Sequence, residues 1–389
     1  MEKITLAKDT INREDIDTLI GWLQTYPRLT KGEVTLQFEQ KWSNWLGSRY
    51  SVFCNSGSSA NLLMLAALLE AEYIPPQSQI VVPALSWATD LSPVMQLGLQ
   101  PLLCDINLDN LSMDLNELER LFQEEKPAAV ILVSVLGLVP DMERVTELCE
   151  KYNVILLEDV CESIGSKHKD KQLGTFGLMS SFSTYFGHHI STIEGGVVST
   201  DDELLFNILK SIRSHGWDRD MDDSFQKKLR SKWGVDEFNS FYTFYYQGFN
   251  LRSTDLQAFL GLGQLDKLDN ICIERNSNFN KYIQRIDNSY YQFKVSDSDF
   301  VSSFAFPMIH PNRNTIVTKL QQNNIETRPL ICGSMGKQPF YVKKYGVKEL
   351  KNITEIDKNG FYLPNHALMT DEEIMRVSTI VNSGIKSET

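Results

Sequence analysis

The chain has 389 residues, 42% hydrophobic and 23% charged, with a formal net charge of −12. That length exceeds what one compact core needs and predicts two domains. The acidic balance argues against general nucleic-acid binding, and no apolar run of 18 or more residues is present to span a membrane.

In chain order, the first 20 residues, MEKITLAKDTINREDIDTLI, hold no apolar core of signal type. Residues 51–54 read as a strand and 58–69 as a helix apolar on most faces. Strands follow at 79–83 and 102–106, then an amphipathic helix at 115–123. Residues 128–135 form a continuous apolar strand, 142–152 a helix, and 154–158 a strand ending in Asp159. Alternating β and α elements, with strands apolar on both faces, predict an α/β fold with a mainly parallel sheet covered by helices. Residues 216–247, polar and aromatic, read as a long loop over the site or a subunit boundary, and 254–268 as one long helix. After Asn250 the pattern shortens. The expected division is therefore 1–250, an N-terminal arm and large domain, and 251–389, a smaller α/β domain. The six cysteines lack a CxxC pair or tight cluster, which predicts reduced, mostly buried thiols in a cytoplasmic protein and no iron–sulfur cluster.

Ligands in open α/β sheets sit at the carboxyl ends of strands, and three motifs fall at such ends. Asn55-Ser56-Gly57-Ser58-Ser59-Ala60 leaves a strand and opens a helix; it reads either as an anion cradle of free N–H groups or as a plain N-cap. Leu157-Glu158-Asp159-Val160-Cys161-Glu162 ends an apolar strand in carboxylates. Asp159 there is either a partner for a buried cation, such as a protonated pyridine nitrogen, or a helix N-cap. Finally, a β run reaches Gly187-His188-His189-Ile190-Ser191-Thr192-Ile193-Glu194-Gly195-Gly196. A His-His pair is ordinarily a surface turn or a satisfied core feature, and no third ligand is spaced to complete a metal site.

Taken together with Leu29-Thr30-Lys31-Gly32, Phe38-Glu39, Pro83-Ala84-Leu85-Ser86-Trp87-Ala88-Thr89, Gly174-Thr175-Phe176-Gly177, Gly248-Phe249-Asn250-Leu251-Arg252 and Thr327-Arg328-Pro329, these motifs resemble the sugar aminotransferase family of nucleotide-sugar biosynthesis. That family is of fold type I among pyridoxal phosphate enzymes, and the likeness covers nearly the whole chain. One departure is decisive. The family places a lysine six residues before the glutamate of Glu-Gly-Gly, and this chain has His188 there. An imidazole cannot form the covalent link by which the lysine holds the cofactor. The substitution, with Ser214-His215-Gly216-Trp217 and Glu162-Ser163, resembles the 3-dehydratase branch of the family.

The resemblance implies pyridoxal 5'-phosphate or pyridoxamine 5'-phosphate bound without covalent attachment. It implies Gly57, Ser58 and Ser183 at the phosphate, Trp87 on the ring, Asp159 at the ring nitrogen, Glu162 at the ring edge and His188 as catalytic base. Asn250 would reach the phosphate of the neighbouring subunit in a homodimer. His215 and Arg328 are weaker candidates for contact with substrate or with L-glutamate as amino donor, and His189 is left to a supporting role. The implied substrate is a nucleotide-linked 4-keto-6-deoxyhexose. Two rivals remain at this level: a 4-aminotransferase, which needs a lysine at position 188, and a non-catalytic binding protein on the same fold.

Overall fold

The computed structural model describes residues 2–287, 290 and 293–386. Its central sheet has seven strands: β1 (Tyr50–Cys54), β2 (Gln79–Pro83), β3 (Gln100–Cys104), β4 (Ala129–Val133), β5 (Ile155–Asp159), β6 (Met179–Ser183) and β7 (Gly196–Thr200). Their order is β1-β7-β6-β5-β4-β2-β3. The pairs β2–β3, β2–β4, β4–β5 and β5–β6 are parallel, whereas β7 runs antiparallel to both β1 and β6. Ala-Val-Ile-Leu-Val in β4 is buried throughout, as strands covered on both faces require. The chain thus has the α/β architecture expected, with one antiparallel strand inside the sheet.

Register brings the chemistry to one end. Val133 lies opposite Asp159 and Asp159 opposite Ser181, while Gly196 at the start of β7 lies opposite both Cys54 and Ser183. The turns after β1, β5 and β6 therefore meet the turn before β7. No side chain could replace hydrogen at Gly196, because a Cβ there would stand 2.2 Å from the Ser56 carbonyl oxygen.

Three of the sequence motifs are scaffolding. Glu39 accepts from Phe53 N at 2.8 Å and pairs with buried Arg213 at 2.5 Å. Asp255 accepts from Gly32 N, Thr35 N and Thr35 Oγ1 at 2.7, 3.0 and 2.6 Å, capping helix Glu33–Leu46. Glu158 accepts from Gly174 N, Phe176 N and Gly177 N, each at 2.7 Å. Burial still pushes that carboxyl above its ordinary range, and the three amides are what make its burial tolerable.

A second sheet joins β8 (Phe306–Ile309), β9 (Arg328–Pro329) and β10 (Gly360–Leu363), with β10 central and antiparallel to both. Two expectations are corrected here. The single helix over 254–268 is two, Asp255–Leu265 and Leu268–Arg285, broken at Asp266–Lys267. The loop over 216–247 contains helix Asp223–Trp233 and the turn Glu237–Ser240. Helix Asp223–Trp233 buries no side chain, so it carries no apolar stripe for a sequence reader to find. Among the described residues no helix is long and apolar enough to cross a membrane.

Candidate active site

A cavity of about 400 Å³ opens where the carboxyl ends of the strands converge. Its lining includes Gly57, Ser58, Trp87, Asp159, Glu162, Ser183 and His188, together with Asp90, Glu194, Phe304 and Tyr362. A larger hollow of about 710 Å³ lies at the opposite ends of β4 and β5, around Lys126, Cys149 and Phe176. It gathers none of the candidate site residues, only Phe176 and Gly177 of a quoted motif.

Ser56 caps helix Gly57–Glu70, accepting from Ser59 N at 3.1 Å, and the first helical bond is Ala60 N to Ser56 O. The amides of Gly57 and Ser58 precede that bond and belong to the helix's positive end. A Cβ at Gly57 would stand 2.7 Å from Ser183 Cβ and 3.1 Å from its hydroxyl. Glycine therefore lets the helix start close on Ser183, and two amides and a hydroxyl share one corner, a fit for a phosphate group.

Asp159 is 5% exposed and accepts from Asn61 Nδ2 at 2.6 Å and Cys161 N at 2.9 Å. Asn61 Nδ2 also donates to Asp90 at 3.1 Å, and Ser181 Oγ donates to Asn61 Oδ1. Burial and then the charge of Asp159 push the Asp90 carboxyl well above its ordinary range. Glu162 accepts from Leu136 N at 2.9 Å; burial, opposed by that amide and assisted by Asp159, raises its carboxyl to about 7. No lysine or arginine lines this acidic floor among the described residues, so a protonated pyridine ring would meet charge complementarity there. Trp87 stands at the cavity with 57% of its surface exposed, a large apolar face available to a flat ring.

His188 lies on the turn between β6 and β7. Thr184 N donates to Gly195 O and Thr192 N to Thr184 O, both at 2.9 Å, which clasps the neck of that turn. The imidazole is partly buried, its centroid 5.1 Å from that of Phe304, and its Nδ1 has no hydrogen-bond partner. Burial pushes it down to about 4, Asp159 pulls it up and Arg275 lowers it. The ring is therefore uncharged at neutral pH and able to accept a proton. His189, by contrast, is fully buried with Nε2 at 3.0 Å from Ser302 O.

Three residues singled out from the sequence stand outside the cavity lining. Asn250 is exposed and accepts from Arg252 Nε at 3.1 Å. His215 has a left-handed backbone (φ 67) and stacks edge-on to Trp217. Arg328 is exposed on β9, opposite Tyr362. Sequence reading passed over Asn61, Ser181, Asp90, Phe304 and Tyr362. Asn61 directly follows a quoted motif; Phe304, in an irregular segment, and Tyr362, in the short strand β10, are distant in sequence and gave no local signal.

A family model described as the DegT/DnrJ/EryC1/StrS aminotransferase family matches residues 9–382. The chain belongs to that family. Among its members, a GDP-4-keto-6-deoxy-D-mannose 3-dehydratase of Yersinia pseudotuberculosis is 34% identical over 98% of this chain and 98% of its own length. A crystal structure of a GDP-4-keto-6-deoxymannose-3-dehydratase, in a variant with histidine replaced by asparagine and GDP-perosamine bound, superposes with a TM-score of 0.89. It is 30% identical and covers 98% of this chain and 100% of its own. A second structure under that enzyme name, with a trapped PLP-glutamate geminal diamine, gives 0.88 at 29% identity, over 97% and 100%. The fold of the family is the PLP-dependent aminotransferase fold, and the mostly parallel sheet with its site at the strand ends is that fold's large sheet.

Proposed function

We propose that this chain is a pyridoxal-phosphate-dependent 3-dehydratase that removes the C3 hydroxyl of GDP-4-keto-6-deoxymannose, in 3,6-dideoxysugar synthesis of the colitose and O-antigen type. The observation that carries this reading is His188: an imidazole in the cavity lining that burial keeps uncharged at neutral pH, at the position where the aminotransferase pattern has lysine.

The chemistry the pyridoxamine form supplies when bound is a primary amine for the 4-keto carbon and a ring that accepts electrons released beside it. Gly57, Ser58 and Ser183 would hold the phosphate, Trp87 would cover the ring, and Asp159 would favour a protonated ring nitrogen. Glu162 sits at the ring edge. His188 would take a proton from the carbon beside the amine and give one to the departing hydroxyl, which leaves as water, so one imidazole would serve as base and then acid. With no lysine lining the cavity among the described residues, water rather than an amine would release the deoxygenated amino sugar, and a second water would convert it to the ketone and ammonia. L-glutamate restores the amine form. Two copies pair as a homodimer, Asn250 of each serving the phosphate corner of the other, which accounts for its exposure in one chain. His215 and Arg328 remain candidates for sugar or glutamate contacts, and the chain divides at 250/251 into a large and a smaller domain.

The deciding experiment mixes purified protein with pyridoxal phosphate, L-glutamate and GDP-4-keto-6-deoxymannose. Ammonia release with a product lighter by one oxygen is expected. A product that gains nitrogen overturns the dehydratase assignment, and an untouched sugar with 2-oxoglutarate formed overturns GDP as the nucleotide.

A further inference from the structure

Arg275, within helix Leu268–Arg285, is 2% exposed, and no carboxylate compensates it among the described residues. Its guanidinium is spent on carbonyls. Nη1 donates to Ser303 O, Phe304 O and Asn365 O at 3.2, 2.9 and 3.0 Å, and Nη2 donates to His188 O at 3.1 Å. Asn365 closes the frame, its Nδ2 donating to Arg275 O and Ser303 O, both at 3.1 Å. A buried cation without a counter-ion is costly, and an apolar side chain would fill the same volume at lower cost. The two carbonyls that belong to cavity residues, those of His188 and Phe304, indicate what the cost achieves.

We propose that Arg275 is the positioning residue of the base: it locks the His188 backbone and the Phe304 wall into one frame and keeps a fixed positive charge behind the imidazole. The proposal rests on His188 being the base. The imidazole has Asp159 and the Cys161 backbone on one side, Tyr185 and Phe304 with ring centroids at 6.4 and 5.1 Å, His189 beside it on its own turn and Arg275 behind it; Asp90 and Glu162 line the same cavity. Burial is the largest influence on His188, Asp159 opposes it, and Arg275 reinforces it. Burial lowers Arg275 itself only to about 10, so its charge is present at neutral pH. Take that charge away and the imidazole holds its proton to higher pH, so the lower edge of the pH range in which it can accept one moves up.

Two variants separate frame from charge. Arg275→Lys keeps the charge but cannot reach four carbonyls; Arg275→Gln keeps donors and loses the charge. The readouts are His188 titration by NMR in cofactor-free protein, assigned against His188→Gln, and the pH profile of kcat/KM. In Arg275→Lys, kcat should fall roughly tenfold with KM held, as expected for a misplaced base, and His188 should titrate as in wild type. In Arg275→Gln the imidazole should titrate about one unit higher, a tenfold change in proton occupancy, with the acid limb of the profile moving the same way. Wild-type kcat in the lysine variant, or an unmoved titration in the glutamine variant, overturns the proposal. Should the glutamine variant not fold, kcat of the lysine variant decides alone. If His188→Asn instead kept its dehydratase activity, the reading of His188 would fail, while the titrations would still report on Arg275.

Discussion

The imidazole of His188 and the carboxylate of Asp159 line the same cavity, yet their polar atoms are provided for differently. Asp159 is held by Asn61 and Cys161, whereas His188 keeps one nitrogen without a partner. A fixed carboxylate and an uncharged imidazole in one cavity are the pair that proton transfer beside a cationic ring requires. His188→Lys should therefore lower ammonia release at least 100-fold and leave cofactor covalently attached on denaturing mass spectrometry; an unchanged rate removes His188 from its role. Gly57→Ala, whose Cβ meets Ser183 at 2.7 Å, should weaken pyridoxal phosphate binding at least tenfold, read by quenching of Trp87 fluorescence, with circular dichroism unchanged. Asp159 and His188 were legible in the sequence because each ends or follows an apolar strand inside a recognisable phrase. Phe304 and Tyr362 were not, since neither has any local pattern and only the fold carries them to the cavity.

Among the elements, the first half of the chain was readable because strands buried on both faces are short apolar runs, and β2 and helix Met142–Tyr152 fall at the expected residues. The second half resisted for physical reasons. Strand β9 is only Arg328–Pro329, both exposed, and the helix boundary at Asp266–Lys267 lacks glycine or proline to mark it. Helix Asp255–Leu265 also does a job no periodicity reveals: Asp255 caps another helix, Glu33–Leu46, more than two hundred residues earlier. Asp255→Ala leaves those amides without an acceptor and should destabilise the fold by about 2 to 4 kcal/mol in urea unfolding. Asp255→Asn, which keeps one acceptor, should cost clearly less; equal losses would mean the cap contributes through shape alone.

The whole molecule carries its histidines in an unusual way. Burial, helped by Arg275, lowers His366 to about 4 and His189 well below its ordinary value. A histidine lowered on folding contributes stability that is present above the unfolded value of roughly 6.5 and lost as pH falls toward the folded value. Asp90 and Glu162, raised on folding, act in the opposite direction, so the informative quantity is a difference between proteins. The stability advantage of wild type over His366→Gln should shrink by about 2 kcal/mol between pH 7 and pH 5, measured by urea unfolding at each pH. A constant difference would show that His366 titrates alike in both states. Architecture at this scale was the most legible feature of the sequence. The placement of Asn250, His215 and Arg328 away from the cavity was the least, because local spacing says nothing about where the fold carries a side chain.

With no lysine in its cavity among the described residues, the site described above can keep its cofactor only by reversible contacts. Occupancy then obeys mass action: it is half-filled when free cofactor equals the dissociation constant, and dialysis should empty it. An enzyme of this build works at a rate set by the vitamin B6 supply around it, where a lysine-tethered relative carries its own store.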